Sequence, residues 1–187
     1  MRSFFCLELP ESVKREISEI PGDIETPAYV KWVSRNNLHI TLKFLGDVDK
    51  GEIPELKRKA KKSVDDIDSF KMTIDKLSGF PHPGFPKVIW LGSDSPPDEI
   101  FRLHESLEAE MSKLGFDREE RDYVPHVTLG RTKDENDSKI ENLGSKLKGR
   151  ELESSWSVPI NKLTLMESNL KPDGPVYDPV FQLDLRK

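Results

Sequence analysis

The chain has 187 residues, 35% of them hydrophobic, and a formal net charge of −5. That length suits one large domain or two small lobes with a real core, and the apolar content argues against disorder. The acidic balance excludes capture of long nucleic acid by bulk charge, so any contact with RNA would run through a local pocket at a chain end.

Residues 3–9, with the run Phe4-Phe5-Cys6-Leu7, read as a first buried strand. The stretch is too short for a signal peptide and already carries Glu8, and no apolar run approaches a membrane span. Cys6, the single cysteine, fits a reducing cytosol and reads as a small core hydrophobe. Val13, Ile17 and Ile20 predict a helix over 11–20, and 38–45 predicts a strand ended by Gly46-Asp47. Ile53, Leu56, Ala60, Val64 and Ile67 share one face of a helix over 51–67. Strands follow at 70–77 and 87–92, parted by a loop at Pro81-His82-Pro83-Gly84. A helix over 97–114 leads to a strand at 125–132. A helix over 138–148, with Ser138 as its N-cap, leads to a strand over 155–167. The turn Lys171-Pro172-Asp173-Gly174 precedes a last strand near 179–185.

The order of elements recurs. Leu38-His39-Ile40-Thr41-Leu42 returns 87 residues later as Pro125-His126-Val127-Thr128-Leu129. The strand 70–77 returns 86 residues later as 156–163. Two matches at nearly one offset imply a duplicated β-α-β-α-β half, and with no low-complexity linker the halves are expected to pack as one pseudo-symmetric domain over 1–187.

In a strand, residues two apart share a face. His39 and Thr41 therefore project together while Ile40 and Leu42 face the core; His126 and Thr128 repeat the arrangement. A pseudo-two-fold axis would set two imidazoles across one cleft, each beside a hydroxyl. Histidine ordinarily titrates near pH 6.5, so one neutral ring can take a proton from water while one imidazolium gives a proton to a leaving oxygen. The Thr hydroxyls would hold non-bridging phosphate oxygens. Such a site calls for no metal, no cofactor and no covalent nucleophile.

The strings His39-Ile40-Thr41-Leu42-Lys43-Phe44-Leu45-Gly46 and His126-Val127-Thr128-Leu129-Gly130-Arg131 resemble the paired motifs of the two-histidine phosphoesterase superfamily. The closest likeness is to its RNA 2′,3′-cyclic phosphodiesterases, formerly called 2′-5′ RNA ligases. It extends to the Val33…Asn37-Leu38 lead-in, to Val88-Ile89-Trp90-Leu91-Gly92 and to the Leu165…Ser168…Gly174…Tyr177 ending. The resemblance implies a bilobal α+β fold with an antiparallel sheet per lobe lining a central cleft and helices outside. It implies metal-independent hydrolysis of an RNA-terminal 2′,3′-cyclic phosphate to a 2′-phosphate, with reversible, ATP-independent 2′-5′ joining in some members. The expected partners are RNA 3′ ends, tRNA halves among them, or small cyclic nucleotides, met by a cytoplasmic monomer.

Further candidates flank the histidines. Arg131 stands where the family often has Arg, and a guanidinium suits a phosphate. Strict alternation nevertheless puts it on the face opposite His126; a bulge at Gly130 would re-aim it, and without one Arg131 reads as a surface or inter-element ion pair. Its counterpart Phe44 reads either as core or as a base-binding pole. Lys43, by alternation, shares the face of His39 and Thr41 and is a candidate source of positive charge at the cleft, with a solvated strand end the alternative. Tyr123 is a candidate stacking ring for a base, with rim packing the alternative. His82, His104 and the basic run 57–62 read as ordinary surface. Three rival readings compete. Lys171-Pro172-Asp173-Gly174 matches the string adenylated in ATP-dependent ligases, but four residues are a weak match and no Gly-rich phosphate loop is present. A metal hydrolase would need more ligands than two His supply. A non-catalytic RNA-end or nucleotide-binding module on the same fold would be expected to have lost a histidine. Together, the residues and the resemblance assign His39 as proton donor and His126 as proton acceptor.

Overall fold

The computed structural model describes residues 1–148 and 150–187. The opening apolar run forms β1 (Arg2–Glu8), followed by α1 (Glu11–Ile17) and a 3-10 turn, Ile20–Asp23. A short strand the sequence did not announce, β2 (Val30–Trp32), precedes β3 (His39–Asp47), and α2 (Ile53–Val64) follows. The predicted strand 70–77 breaks at Asp75 into β4 (Phe70–Ile74) and β5 (Lys76–His82), which turns into β6 (Phe85–Gly92). Pro81 and His82, expected in a loop, instead extend β5. Then come α3 (Asp98–Ser112), β7 (His126–Thr132) and α4 (Asp137–Lys148). The Asn136 side chain accepts from the Lys139 N–H at 3.2 Å, so Asn136 rather than Ser138 caps α4. The predicted strand 155–167 breaks at Asn161 into β8 (Trp156–Ile160) and β9 (Lys162–Lys171), and β10 (Gly174–Asp184) closes the chain. Lys171 pairs with Gly174, whose φ of 126° serves the two-residue turn at Pro172-Asp173.

All strand pairs that build the main sheet are antiparallel, in the order β10-β9-β1-β3-β7-β6-β5, with β2 also on β7. One half-sheet, β10-β9-β1-β3, ends in β3 and the other, β7-β6-β5, begins with β7, and a single residue pair, Ile40 with Val127, joins them. The lobes exchange strands: the β3 lobe holds β9 and β10 from the second repeat, and the β7 lobe holds β2, β5 and β6 from the first. A second, two-stranded sheet pairs β4 with β8, Met72 opposite Val158. Those two residues are 86 positions apart and Ile40 and Val127 are 87 apart, the two offsets of the sequence repeat. Repeat-equivalent residues thus face each other across a pseudo-two-fold axis.

Packing fixes which face is free. Ile40, Leu42, Val127 and Leu129 are at most 3% exposed and point into the core. Each such side chain contributes roughly 1.5–3 kcal/mol by leaving water. Helix α3 lies against β3 with α2 packed on it, and α4 covers the β5–β6 hairpin. The core-facing set is what obliges His39, Thr41, His126 and Thr128 to stand on the other face, as the residues on either side of the joining Ile40–Val127 pair.

Candidate active site

His39 begins β3 and His126 begins β7, and both rings are oriented from behind in the same way. His39 Nδ1 lies 2.7 Å from the Asn37 carbonyl, and His126 Nδ1 lies 2.7 Å from the Val124 carbonyl. A carbonyl only accepts, so Nδ1 carries the proton in each ring. In the neutral form Nε2 is then the basic nitrogen, and in the imidazolium Nε2–H is the second donor. His39 Nε2 lies 2.9 Å from Thr41 Oγ1, so the hydroxyl donates to neutral His39. Among the described residues no protein group hydrogen-bonds His126 Nε2.

Aromatic rings hold both imidazoles. Phe4 stacks on His39 at 4.9 Å, with Tyr177 edge-on at 5.4 Å. Around His126 stand Phe80, edge-on at 5.1 Å, and Trp90 at 5.9 Å. The two sets of rings come from non-equivalent positions: Trp90 opposes Thr128 as Cys6 opposes Thr41, and Phe4 opposes Phe44 as Val88 opposes Arg131. Enclosure disfavours charge. Burial presses His39 down to about 4; the Asn37 carbonyl opposes this, the charges of Lys14 and His126 add to it, and Glu8 counters weakly. His126 is also held below its ordinary value, by burial first, against the Val124 carbonyl and with help from Arg131. A pocket lined by Glu8, Lys14, Asn36 and Tyr177 opens beside His39.

Two bulges decide the flanking residues. Phe5 pairs with Lys43 and Cys6 with Thr41, leaving Leu42 as an extra residue in β3. Ile89 pairs with Gly130 and Trp90 with Thr128, leaving Leu129 extra in β7. Each bulge turns the next residue inward and the one after that outward. Arg131 is therefore exposed on the face of His126, and its charge acts on both His126 and Tyr177. Gly130 turns into the core, where a Cβ would meet Trp32 at 2.6 Å.

The same device overturns the expectation for Lys43. It is 5% exposed, and its ammonium donates to both Glu108 oxygens at 2.9 Å and to the Asp117 carbonyl at 2.7 Å. It supplies no charge to the cleft. Phe44 is not core: it is 67% exposed, with its ring 5.9 Å from Phe4 on the His39 side. Tyr123 offers no free ring to a base, because it stacks on His104 at 4.0 Å and donates its hydroxyl to the Thr41 carbonyl at 3.0 Å. His104, expected as ordinary surface, is that stacking partner. His82 sits at the β5–β6 tip, where its Nδ1 accepts from the Gly84 N–H. The basic run on α2 is largely spent on ion pairs, Arg58 with Glu55 and Lys61 with Asp65. Among the described residues no three His, Cys, Asp or Glu side chains converge as a metal-binding set, and no helix is long and apolar enough to cross a membrane.

Sequence reasoning did not single out Phe4, Phe80, Trp90 or Tyr177 as packing around the histidines, nor the Asn37 and Val124 carbonyls. Phe4 and Trp90 occupy non-equivalent repeat positions, so the repeat offset held no signal for them.

Known proteins share both the sequence and the fold. The RNA 2′,3′-cyclic phosphodiesterase of Methanothermobacter thermautotrophicus is 35% identical over 179 residues, 95% of each chain. That of Thermotoga maritima is 34% identical over 183 residues, 97% of this chain and 94% of the relative. Among solved structures, a Thermus thermophilus protein superposes with a TM-score of 0.78 at 26% identity, covering 100% of this chain and 98% of its own. Escherichia coli LigT in complex with 3′-AMP shares the fold at a TM-score of 0.79 and 24% identity, with the same coverage. The model of the 2′-5′ RNA ligase superfamily matches residues 9–172, and the chain belongs to that superfamily.

Proposed function

We propose that this member of the 2′-5′ RNA ligase superfamily is an RNA 2′,3′-cyclic phosphodiesterase in which His126 and His39 act as base and acid. The reading rests above all on one observation: two imidazoles, each oriented by a backbone carbonyl at Nδ1, present Nε2 to one shared face beside two threonines. The cyclic phosphate sits between them. Its non-bridging oxygens accept from Thr41, Thr128 and the Arg131 guanidinium. Nε2 of His126 takes a proton from water as the water oxygen attacks phosphorus. The bond from phosphorus to the ribose 3′-oxygen breaks, and His39 Nε2–H protonates that oxygen, leaving a 2′-phosphate and a 3′-hydroxyl. Protonated His39 no longer needs the Thr41 hydroxyl as a donor, which frees that hydroxyl for the phosphate.

The roles follow from what each Nε2 meets. His126 Nε2 has an unengaged lone pair, and Arg131 helps keep the ring neutral. The lone pair of neutral His39 is already satisfied by Thr41. In the free protein burial keeps His39 neutral; the anionic phosphodiester supplies the charge that favours its imidazolium. A group pressed down in this way is a strong acid once protonated, which suits donation to an alkoxide. The exposed Phe44 is placed to stack on a base of the RNA end. Run in the same direction with a 5′-hydroxyl in place of water, the same steps join RNA through a 2′-5′ bond without ATP, and their reverse cleaves that bond back to the cyclic phosphate.

Incubation with an oligoribonucleotide ending in a 2′,3′-cyclic phosphate, in EDTA, tests the reading. A 2′-phosphate product in undiminished yield is expected. A 3′-phosphate product would contradict the assigned bond cleavage, and loss of activity in EDTA would contradict the metal-independent pair.

A further inference from the structure

The segment from α3 to His126 is held by a buried charge that the chemistry above does not use. All three protons of the Lys43 ammonium are committed, two to Glu108 and one to the Asp117 carbonyl. The carboxylate also accepts the Glu119 N–H at 3.2 Å, and both side chains of the pair are 3% exposed. Four residues on, Tyr123 donates to the Thr41 carbonyl of β3 and stacks on His104, one turn before Glu108 on α3. The next residue is Val124, whose carbonyl orients His126.

The other half of the repeat solves the same problem differently. There the segment leading to His39 is fastened to β7 by strand pairing, with Trp32 opposite Gly130 and the Val33 N–H on the Leu129 carbonyl. Shifted by 87 residues, Gly130 corresponds to Lys43, Trp32 to Glu119, and Asn37 to Val124. Each histidine's lead-in is thus anchored on the strand that carries the other histidine. One anchor is a β-ladder; the other is an ion pair.

We propose that the Lys43–Glu108 pair is a positioning unit for His126: it docks residues 117–124 onto β3 and so fixes the carbonyl that sets the ring's orientation. The inference rests on the His39–His126 reading of the site. A buried ion pair is weak support for stability, since well-packed apolar residues often replace it without loss, so its retention here calls for another reason. Neither residue touches the substrate; both act through Val124.

The test replaces the pair by apolar residues of similar size, Lys43→Met with Glu108→Leu, in the full chain. Single changes would strand one buried charge and confuse folding with function. The double variant should fold, with inorganic phosphate binding at one site per chain, while kcat on a cyclic-phosphate RNA end falls on the order of tenfold to a hundredfold at little changed KM. Nitrogen NMR of the ring should show His126 losing its single Nδ1–H tautomer while His39 keeps its own. A folded double variant with wild-type kcat and an unaltered His126 tautomer would overturn the inference. If the double variant does not fold, Tyr123→Phe, which deletes only the hydroxyl, decides: a several-fold drop in kcat at unchanged KM supports positioning, and no drop refutes it. Wild type measured alongside keeps the two readings apart, because an inactive wild type would sink the catalytic reading instead.

Discussion

The two histidine poles are equivalent in backbone and unlike in surroundings. β3 and β7 share one inside-outside pattern through their first six residues, bulge included, and both histidines lean on a carbonyl two residues back. Yet the His39 pole is closed: Phe4 stacks on it, Tyr177 stands edge-on, Thr41 occupies Nε2, and its outward neighbour is the apolar Phe44. The His126 pole leaves Nε2 open and has Arg131 at the position of Phe44. On the proposed reading the two like imidazoles are the tools, and the residues around them assign the roles of base and acid. A symmetric pair can share one proton but does not decide which ring holds it; unequal surroundings do.

The largest effects break both poles alike. His39→Ala and His126→Ala should each lower turnover of a cyclic-phosphate RNA end by at least about 10² while the fold survives, read by steady-state kinetics beside circular dichroism. Near-full activity in either variant would remove that residue from the pair.

Next come the hydroxyls. Thr41→Val and Thr128→Val should each weaken phosphate binding, by calorimetry, by roughly 1.5–3 kcal/mol, since each deletes a donor to a charged oxygen. Only Thr41→Val should also move the titration of His39 in the free protein, and upward, because the lost hydroxyl donates to the neutral ring. An unchanged His39 titration by NMR would mean that this contact carries no weight.

On the proposed reading the outward pair Phe44 and Arg131 separates base from phosphate. Phe44→Ala should raise KM for a dinucleotide or longer end, a stacked base being worth about 1–3 kcal/mol, and leave inorganic phosphate binding alone. Arg131→Met should weaken inorganic phosphate binding and raise KM by the same factor whatever the length of the RNA end. The same response in both variants would deny the division.

The smallest effect is on stability. The unfolded chain takes up a proton near pH 6.5, the ordinary histidine value, whereas folded His39 refuses it until about 4. Stability should therefore fall as pH drops through that window, by up to about 1.4 kcal/mol per pH unit from this one group. Urea unfolding at pH 6.5 and 5 should show a shallower loss in His39→Gln than in wild type; equal slopes would place the burial cost elsewhere.

Much of this was legible in the sequence because it is local. The two His-x-Thr-Leu strings, their offset and the Pro172-Asp173-Gly174 turn all follow from short-range rules. What escaped depends on pairing between distant segments. Alternation put Lys43 in the cleft and Arg131 behind it. The extra residues Leu42 and Leu129, visible only against β1 and β6, reversed both placements. β2 is three residues long and exists because β7 offers an edge. The breaks at Asp75 and Asn161 exist because β4 and β8 leave for their own sheet. Tyr123 looked like a stacking ring because nothing local shows that His104 already covers it.

The assignment of acid and base is the central claim, and a change of leaving group tests it most directly. A cyclic or aryl phosphodiester with an acidic leaving alcohol needs little protonation but still needs an activated water. Turnover of such a substrate should be restored in His39→Ala far more than in His126→Ala. Rescue of His126→Ala in preference would contradict the account and exchange the two roles.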